Sequence, residues 1–136
     1  MGEADLLFQL DGDADVMKYI TLGIPRTMDE VIEKSMPRVL QSYQDKSDFG
    51  IFAAYLINSD EYIGWFQFEK DKEFEDSIEI GWRLKKQYWG NGYATEVATV
   101  LCDLGIKMGK TIVARAMIEN LASIRVMEKA GLKFEK

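Results

Sequence analysis

A strand, a loop with two glycines and a helix follow one another between Ser77 and Met108, and this run constrains the fold more than any other part of the chain. From Ser77 to Leu84, Ile78, Ile80 and Trp82 alternate with Glu79, Gly81 and Arg83, the period of a strand with two distinct faces. Gly90 and Gly92 then open a helix from about Tyr93 to Met108. Its Ala94, Val97, Ala98, Leu101 and Leu104 form one apolar stripe, and Gly109 is its stop. Such a loop aims backbone N–H groups at one point, and the helix dipole adds partial positive charge there. Without a Cβ at either glycine, an anionic group such as a pyrophosphate can approach the backbone closely. The loop is not a kinase-type P-loop, because no Lys-Ser/Thr pair follows the second glycine. Nor is it a full dinucleotide fingerprint, since Thr95 stands where a third glycine would fall.

The remaining elements are set out around this unit. Asp5 to Ile20 reads as short helical pieces, with Leu6, Leu7 and Leu10 on one side and Val16, Met17 and Ile20 following Asp13. Thr27-Met28-Asp29-Glu30 is a capping box for a helix carrying Val31, Ile32, Met36, Val39, Leu40 and Tyr43, which Pro37 should kink or divide. Phe49 to Ile57 and Tyr62 to Phe68 flank Asn58-Ser59-Asp60-Glu61 and predict a hairpin. Thr111 to Met117 reads as a β-branched strand, and Asn120 precedes a last helix from Leu121 to Ala130 that Gly131 closes. Leu132 to Glu135 begins one more strand.

Composition removes several classes of function. At 136 residues there is room for one domain, and 47% hydrophobic with 29% charged residues suits a folded one. No apolar run approaches the ~20 residues of a membrane span, and Met1 to Asp5 lacks the basic start of a signal peptide. A cytoplasmic location is therefore expected. Cys102 is the only cysteine and histidine is absent, which excludes Ser-His-Asp and Cys-His nucleophiles and most zinc sites; no metal is expected. Acid–base work falls to Glu, Asp, Tyr, Ser, Cys, Lys or water. A net charge of −6 argues against nucleic acid as a partner and would draw a cationic substrate.

Two motifs in order carry a family resemblance. Gln87-x-x-Gly90-x-Gly92 matches the Q/R-x-x-G-x-G/A acetyl-CoA loop of the GNAT superfamily, and EIGWRLKKQYWGNGYATE resembles its RimJ/RimL-type branch. Asn120 to Leu132 is similar to the N-x-x-S-x-x-V-x-E-K-x-G-F segment of that branch, with Leu132 where Phe is usual. The helical region Leu6 to Ile20 resembles it as well. The resemblance implies an α/β (α+β) fold in one N-acetyltransferase domain: a mixed, mostly antiparallel central sheet flanked by helices, with a splayed strand pair at the acetyl-CoA site.

The same resemblance implies roles for particular residues. Backbone groups of Trp82, Arg83 and Leu84 would hold the pantetheine arm, one N–H serving as oxyanion donor. Gln87, Tyr88, Trp89, Gly90, Asn91, Gly92 and Tyr93 would surround the pyrophosphate, and Asn120 would bond pantetheine or fix its loop. An acetyl group would pass directly from acetyl-CoA to a primary amine, either a peptide N-terminus or a small molecule. The Tyr that many members carry seven residues beyond the Asn is Met127 here, so Ser123 is the candidate acid, against a plain helix-cap role. Glu79 is the candidate base, against a solvated carboxylate or one paired with Arg115; a water chain could replace it. The first strand and the C-terminal strand pair of the family are not found. Either the sequence is a shortened one, the favoured reading, or a second copy completes the sheet as a homodimer. A degenerate module that binds CoA without turnover is the competing reading.

Overall fold

The computed structural model describes residues 3–42, 49–117 and 119–133. Four strands form one sheet in the order β1-β2-β3-β4, namely Gly50–Tyr55, Tyr62–Lys70, Ser77–Leu84 and Thr111–Val113. The first three run antiparallel, whereas β4 lies parallel to β3 because the helix α4, Tyr93–Lys107, crosses over between them. The sheet is thus mixed and mostly antiparallel, as expected.

Helices cover both faces of the sheet. On one side Phe68, Ile78 and Ile80 pack with Phe49 and with Ala98 and Cys102 of α4, flanked by Val126 and Ala130 at α5, Leu121–Lys129. Ile78 and Ile80 are each 1% exposed, and burying such a side chain stabilises the fold by about 1.5–3 kcal/mol. Gly105 lets α4 sit this close, since a Cβ there would lie 2.1 Å from Ile112 Cδ1. On the other side Tyr62 and Trp65 meet Leu10, Val16 and Met17, which belong to α1, Glu3–Asp11, and the turns that follow it. A bulge at Ile63 and Gly64 shifts the alternation by one residue, so that Tyr62 and Trp65, three apart, share a face. Tyr55 pairs with Tyr62 and Ala54 with Gly64, so Ile63 is skipped and turns toward Phe66, Leu84 and Tyr88.

The capping box forms as read: Thr27 N–H donates to Glu30 Oε1 at 3.1 Å and Glu30 N–H to Thr27 Oγ1 at 3.2 Å. It starts a helix in three parts, α2 Met28–Glu30, a π-helical turn Val31–Ser35 and α3 Met36–Gln41. Pro37 has no N–H and its ring crowds the preceding turn, and the π turn widens the backbone just ahead of it. The last strands differ from expectation. Only Thr111–Val113 of the anticipated Thr111 to Met117 pairs with β3. Tyr43 and the residues from 134 onward, where a further strand is expected, lie outside the described residues. No helix among the described residues is long and apolar enough to cross a membrane.

Candidate functional site

The site begins where two strands part. Pairing between β3 and β4 joins Ser77, Ile78 and Glu79 to Thr111, Ile112 and Val113 and then ends, while β3 continues along β2 to Leu84. Lys85 N–H donates to Ile63 O at 2.8 Å across β2. Antiparallel bonding alternates residue by residue, so the main-chain groups of Arg83 and Gly81 also face β2. Those of Trp82, and the N–H of Leu84, point into the gap that β4 leaves open. Two cavities adjoin along this edge, one of about 660 Å³ and one of about 190 Å³, and Trp82, Arg83, Asn120 and Ser123 line both.

At one end of the larger cavity the chain turns through a 3₁₀ segment, Lys86–Tyr88, into the glycine loop. The side chains of this loop mostly hold its own shape. Tyr88 is buried, and its hydroxyl donates to Glu61 Oε2 at 2.5 Å, which raises the Tyr88 pKa above the usual phenol value. Trp89 Nε1 donates to Leu84 O at 2.9 Å, and Asn91 Nδ2 to Tyr88 O at 3.1 Å and Trp89 O at 3.3 Å. Gly90 and Gly92 take φ of 79° and 83°, the left-handed region, and a Cβ on either would stand in open space. Gly92 is the N-cap of α4 without a side-chain cap, and the first helical bond runs from Glu96 N–H to Gly92 O. The N–H groups of Tyr93, Ala94 and Thr95 therefore precede the helical ladder. Lys18, Lys86, Arg125 and Lys129 also line this cavity, a local cationic field on an acidic chain. These features fit a pyrophosphate. Lys86 Nζ lies 2.6 Å from Asp15 Oδ2, an exposed pair of the kind that contributes little and exchanges readily.

The smaller cavity holds the acid–base candidates. Glu79 lines it and is part-buried, with Oε2 3.2 Å from Arg115 Nη1 and Oε1 accepting from Gln67 Nε2 at 3.3 Å. Arg115 is shared with Asp71 at 2.7 Å and Glu73 at 3.2 Å, and its hydrogen bonds to Asp71 and Glu79 raise its pKa. In return Arg115 holds Asp71 down to about 2, helped by the backbone N–H groups of Phe74 and Glu73. Asn120 caps α5 by accepting from Ser123 N–H at 3.2 Å. The Ser123 hydroxyl makes no cap bond and has no hydrogen-bond partner among the described residues. Met127 forms part of the same wall.

Of the residues singled out in the sequence, Trp82, Arg83, Leu84, Tyr88, Trp89, Gly90, Gly92, Tyr93, Asn120 and Ser123 meet around the larger cavity. Gln87 and Asn91 do not line it; Asn91 turns back on the loop carbonyls. The Arg83 side chain, on β3, donates to Asp11. Sequence reasoning misses the wall formed by Asp15, Val16, Lys18, Tyr19 and Ile20, and the cations Lys86, Arg125 and Lys129. Three of those cations lie inside the two motifs, which is the signal available for them. Among the described residues no group of three or more His, Cys, Asp or Glu could hold a metal ion.

The family model described as an acetyltransferase (GNAT) domain matches residues 2–133. The chain is 29% identical over 94% of its length to the FsC-acetyl coenzyme A-N(2)-transacetylase of Aspergillus fumigatus, and it spans 57% of that protein. Its fold matches an acetyltransferase (GNAT family) from Bacillus anthracis with a TM-score of 0.78 at 30% identity, covering 98% of this chain and 76% of that one. A RimL ribosomal L7/L12 alpha-N-protein acetyltransferase in complex with coenzyme A matches with a TM-score of 0.74 over 98% of this chain and 75% of that one. At 15% identity that likeness is one of fold alone and does not carry assignment to the RimJ/RimL branch.

Proposed function

The chain belongs to the GNAT acetyltransferase family, and on that premise we propose that it moves the acetyl group of acetyl-CoA to a primary amine by direct attack in a ternary complex. The observation that carries this reading is the parting of β3 from the chain after Val113, with free N–H groups at one end of the gap and Glu79 at the other. The pyrophosphate would rest on the loop from Tyr88 to Tyr93, and the pantetheine arm along the Trp82 and Leu84 main chain. The amine nitrogen, once neutral, attacks the thioester carbonyl carbon; the C–S bond breaks and CoA leaves as a thiolate. Glu79 takes the proton that the ammonium must lose, directly or through water. Ser123, at the junction of the two cavities with its hydroxyl uncommitted, gives a proton to the departing sulfur and recovers, directly or through water, the second proton that the nitrogen loses as the amide forms. A Trp82 N–H facing the gap is placed to stabilise the oxyanion. The acceptor is a peptide N-terminus or a small-molecule amine.

Release of free thiol from acetyl-CoA against a panel of amines tests the proposal, and amine-dependent release is expected. Met127, standing where many relatives have a Tyr, favours a second reading in which the chain binds CoA without turnover. Tight CoA binding with no thiol release across a broad panel would select that reading.

A further inference from the structure

Three side chains converge on Asp11, which is 1% exposed. Arg83 Nη1 reaches Oδ1 at 2.7 Å, Arg26 Nη1 reaches Oδ2 at 3.5 Å, and the Ser35 hydroxyl donates to Oδ2. Arg26 also donates from Nη1 to Ser35 Oγ at 2.7 Å and from its main-chain N–H to Asp11 O at 2.7 Å. The four residues come from the end of α1, the loop before Thr27, the π turn and β3. The Arg83 guanidinium lies over the Trp65 ring, 5.0 Å from its centroid. Burial lowers the Arg83 pKa, and its Nε is buried without a hydrogen-bond partner.

Stability alone does not account for this cluster. An apolar pair of similar volume often stabilises a fold as well as a buried ion pair does, and the unpartnered Nε–H is a cost that an apolar side chain would not carry. Position offers a reason. Arg83 sits between Trp82 and Leu84, on the stretch of β3 that has lost β4 and is held by β2 alone. Asp11 leads directly into the turns that carry Val16, Tyr19 and Ile20, the opposite wall of the cleft. One ion pair therefore ties the two walls together from behind.

We propose that Asp11 and Arg83 are positioning residues, whose ion pair fixes the spacing between the unpaired stretch of β3 and the wall formed by residues 15–20. The inference rests on the acetyl-CoA placement given above. Small errors in the spacing would misplace the thioester while leaving the pyrophosphate loop intact, and errors of about 1 Å can cost about a hundredfold in rate.

Two variants test the proposal. Asp11→Leu/Arg83→Met removes both charges of the pair together and leaves the part-exposed Arg26 on Ser35; Arg83→Lys keeps the charge and loses the planar stack. Folding is checked by thermal unfolding. Each variant is then titrated calorimetrically with CoA and with 3′-phospho-ADP, the same molecule without its pantetheine arm. In the double variant CoA affinity should fall about tenfold or more while 3′-phospho-ADP stays within about threefold. In the thiol-release assay, kcat should fall by a larger factor than the KM for acetyl-CoA rises. A folded variant with unchanged CoA affinity and kcat would overturn the proposal, and so would equal loss of both ligands. If the double variant fails to fold, Arg83→Lys carries the same comparison, with the same outcomes deciding. A wild-type protein that binds CoA more tightly than 3′-phospho-ADP yet releases no thiol would sink the transfer reading while leaving the binding comparison valid.

Discussion

Replacing Gly92 with Ala adds one methyl group at the start of α4, and Gly109 supplies a control for it. The two glycines take φ of 83° and 76°, and a Cβ built on either meets nothing within 4 Å. Both substitutions therefore carry the same left-handed strain, about 1–2 kcal/mol. Restriction of the unfolded chain by Ala offsets about 0.4–1 kcal/mol of it. The net loss is about 1 kcal/mol, which lowers Tm by about 3–4 °C in a chain of 136 residues. The difference between them lies in position, because Gly92 lines the cleft and Gly109 does not. A methyl group there occupies the space through which phosphate oxygens would reach the N–H groups of Tyr93 and Ala94. Losing one charge-assisted hydrogen bond costs about 1.5–3 kcal/mol, or roughly 10- to 150-fold in Kd. Calorimetric titration with CoA and parallel melting curves measure both quantities. Similar losses of Tm are expected, with weakened CoA binding in Gly92→Ala alone. The reasoning fails if Gly92→Ala binds CoA as the wild type does, or if Gly109→Ala weakens binding equally.

Other consequences follow from the same geometry. Glu79→Gln and Ser123→Ala should each lower kcat by about a hundredfold with the KM for acetyl-CoA changed less than about threefold; unchanged kcat would remove the residue from the mechanism. Arg115 depresses Asp71 from 3.8 to about 2. Its ionised form therefore contributes stability that is complete above the ordinary carboxylate value and is lost as pH falls through about 2. Denaturant midpoints should drop more steeply between about pH 4 and 2 in the wild type than in Asp71→Asn, and parallel curves would contradict this. Cys102 is buried and its pKa is raised by that burial, so alkylation should wait for unfolding of α4; rapid labelling of the native protein would show otherwise.

What the sequence shows clearly is what closes over a few residues. The Thr27–Glu30 box, the Asn120 cap and the glycine loop each complete their bonds within about one turn, so spacing alone reveals them. Pro37 likewise announces a break, although not that a π turn would absorb it. The suggested pairing of Glu79 with Arg115 does form, although Arg115 lies two residues beyond the end of β4. Thr111 to Met117 is misjudged in length because β-propensity describes a residue and not the reach of a partner; beyond Val113 the strand has left β3. Gln87 and Asn91 satisfy the motif, yet neither lines the cavity, and Asn91 bonds back to the loop carbonyls. The hardest feature to foresee is the link from Asp11 to Arg83, which spans 72 residues and obeys no spacing rule. For the same reason the wall at residues 15–20 reads only as helical pieces until the sheet places it opposite Trp82.

A crystal structure with acetyl-CoA bound tests the central claim most directly. The account predicts the pyrophosphate on the N–H groups from Gly90 to Thr95, and the pantetheine amides on the Trp82 and Leu84 main chain. It also predicts the thioester at the junction beside Ser123. Acetyl-CoA bound elsewhere, or bound at the loop with its pantetheine arm outside the gap between β3 and residues 114–117, would contradict it.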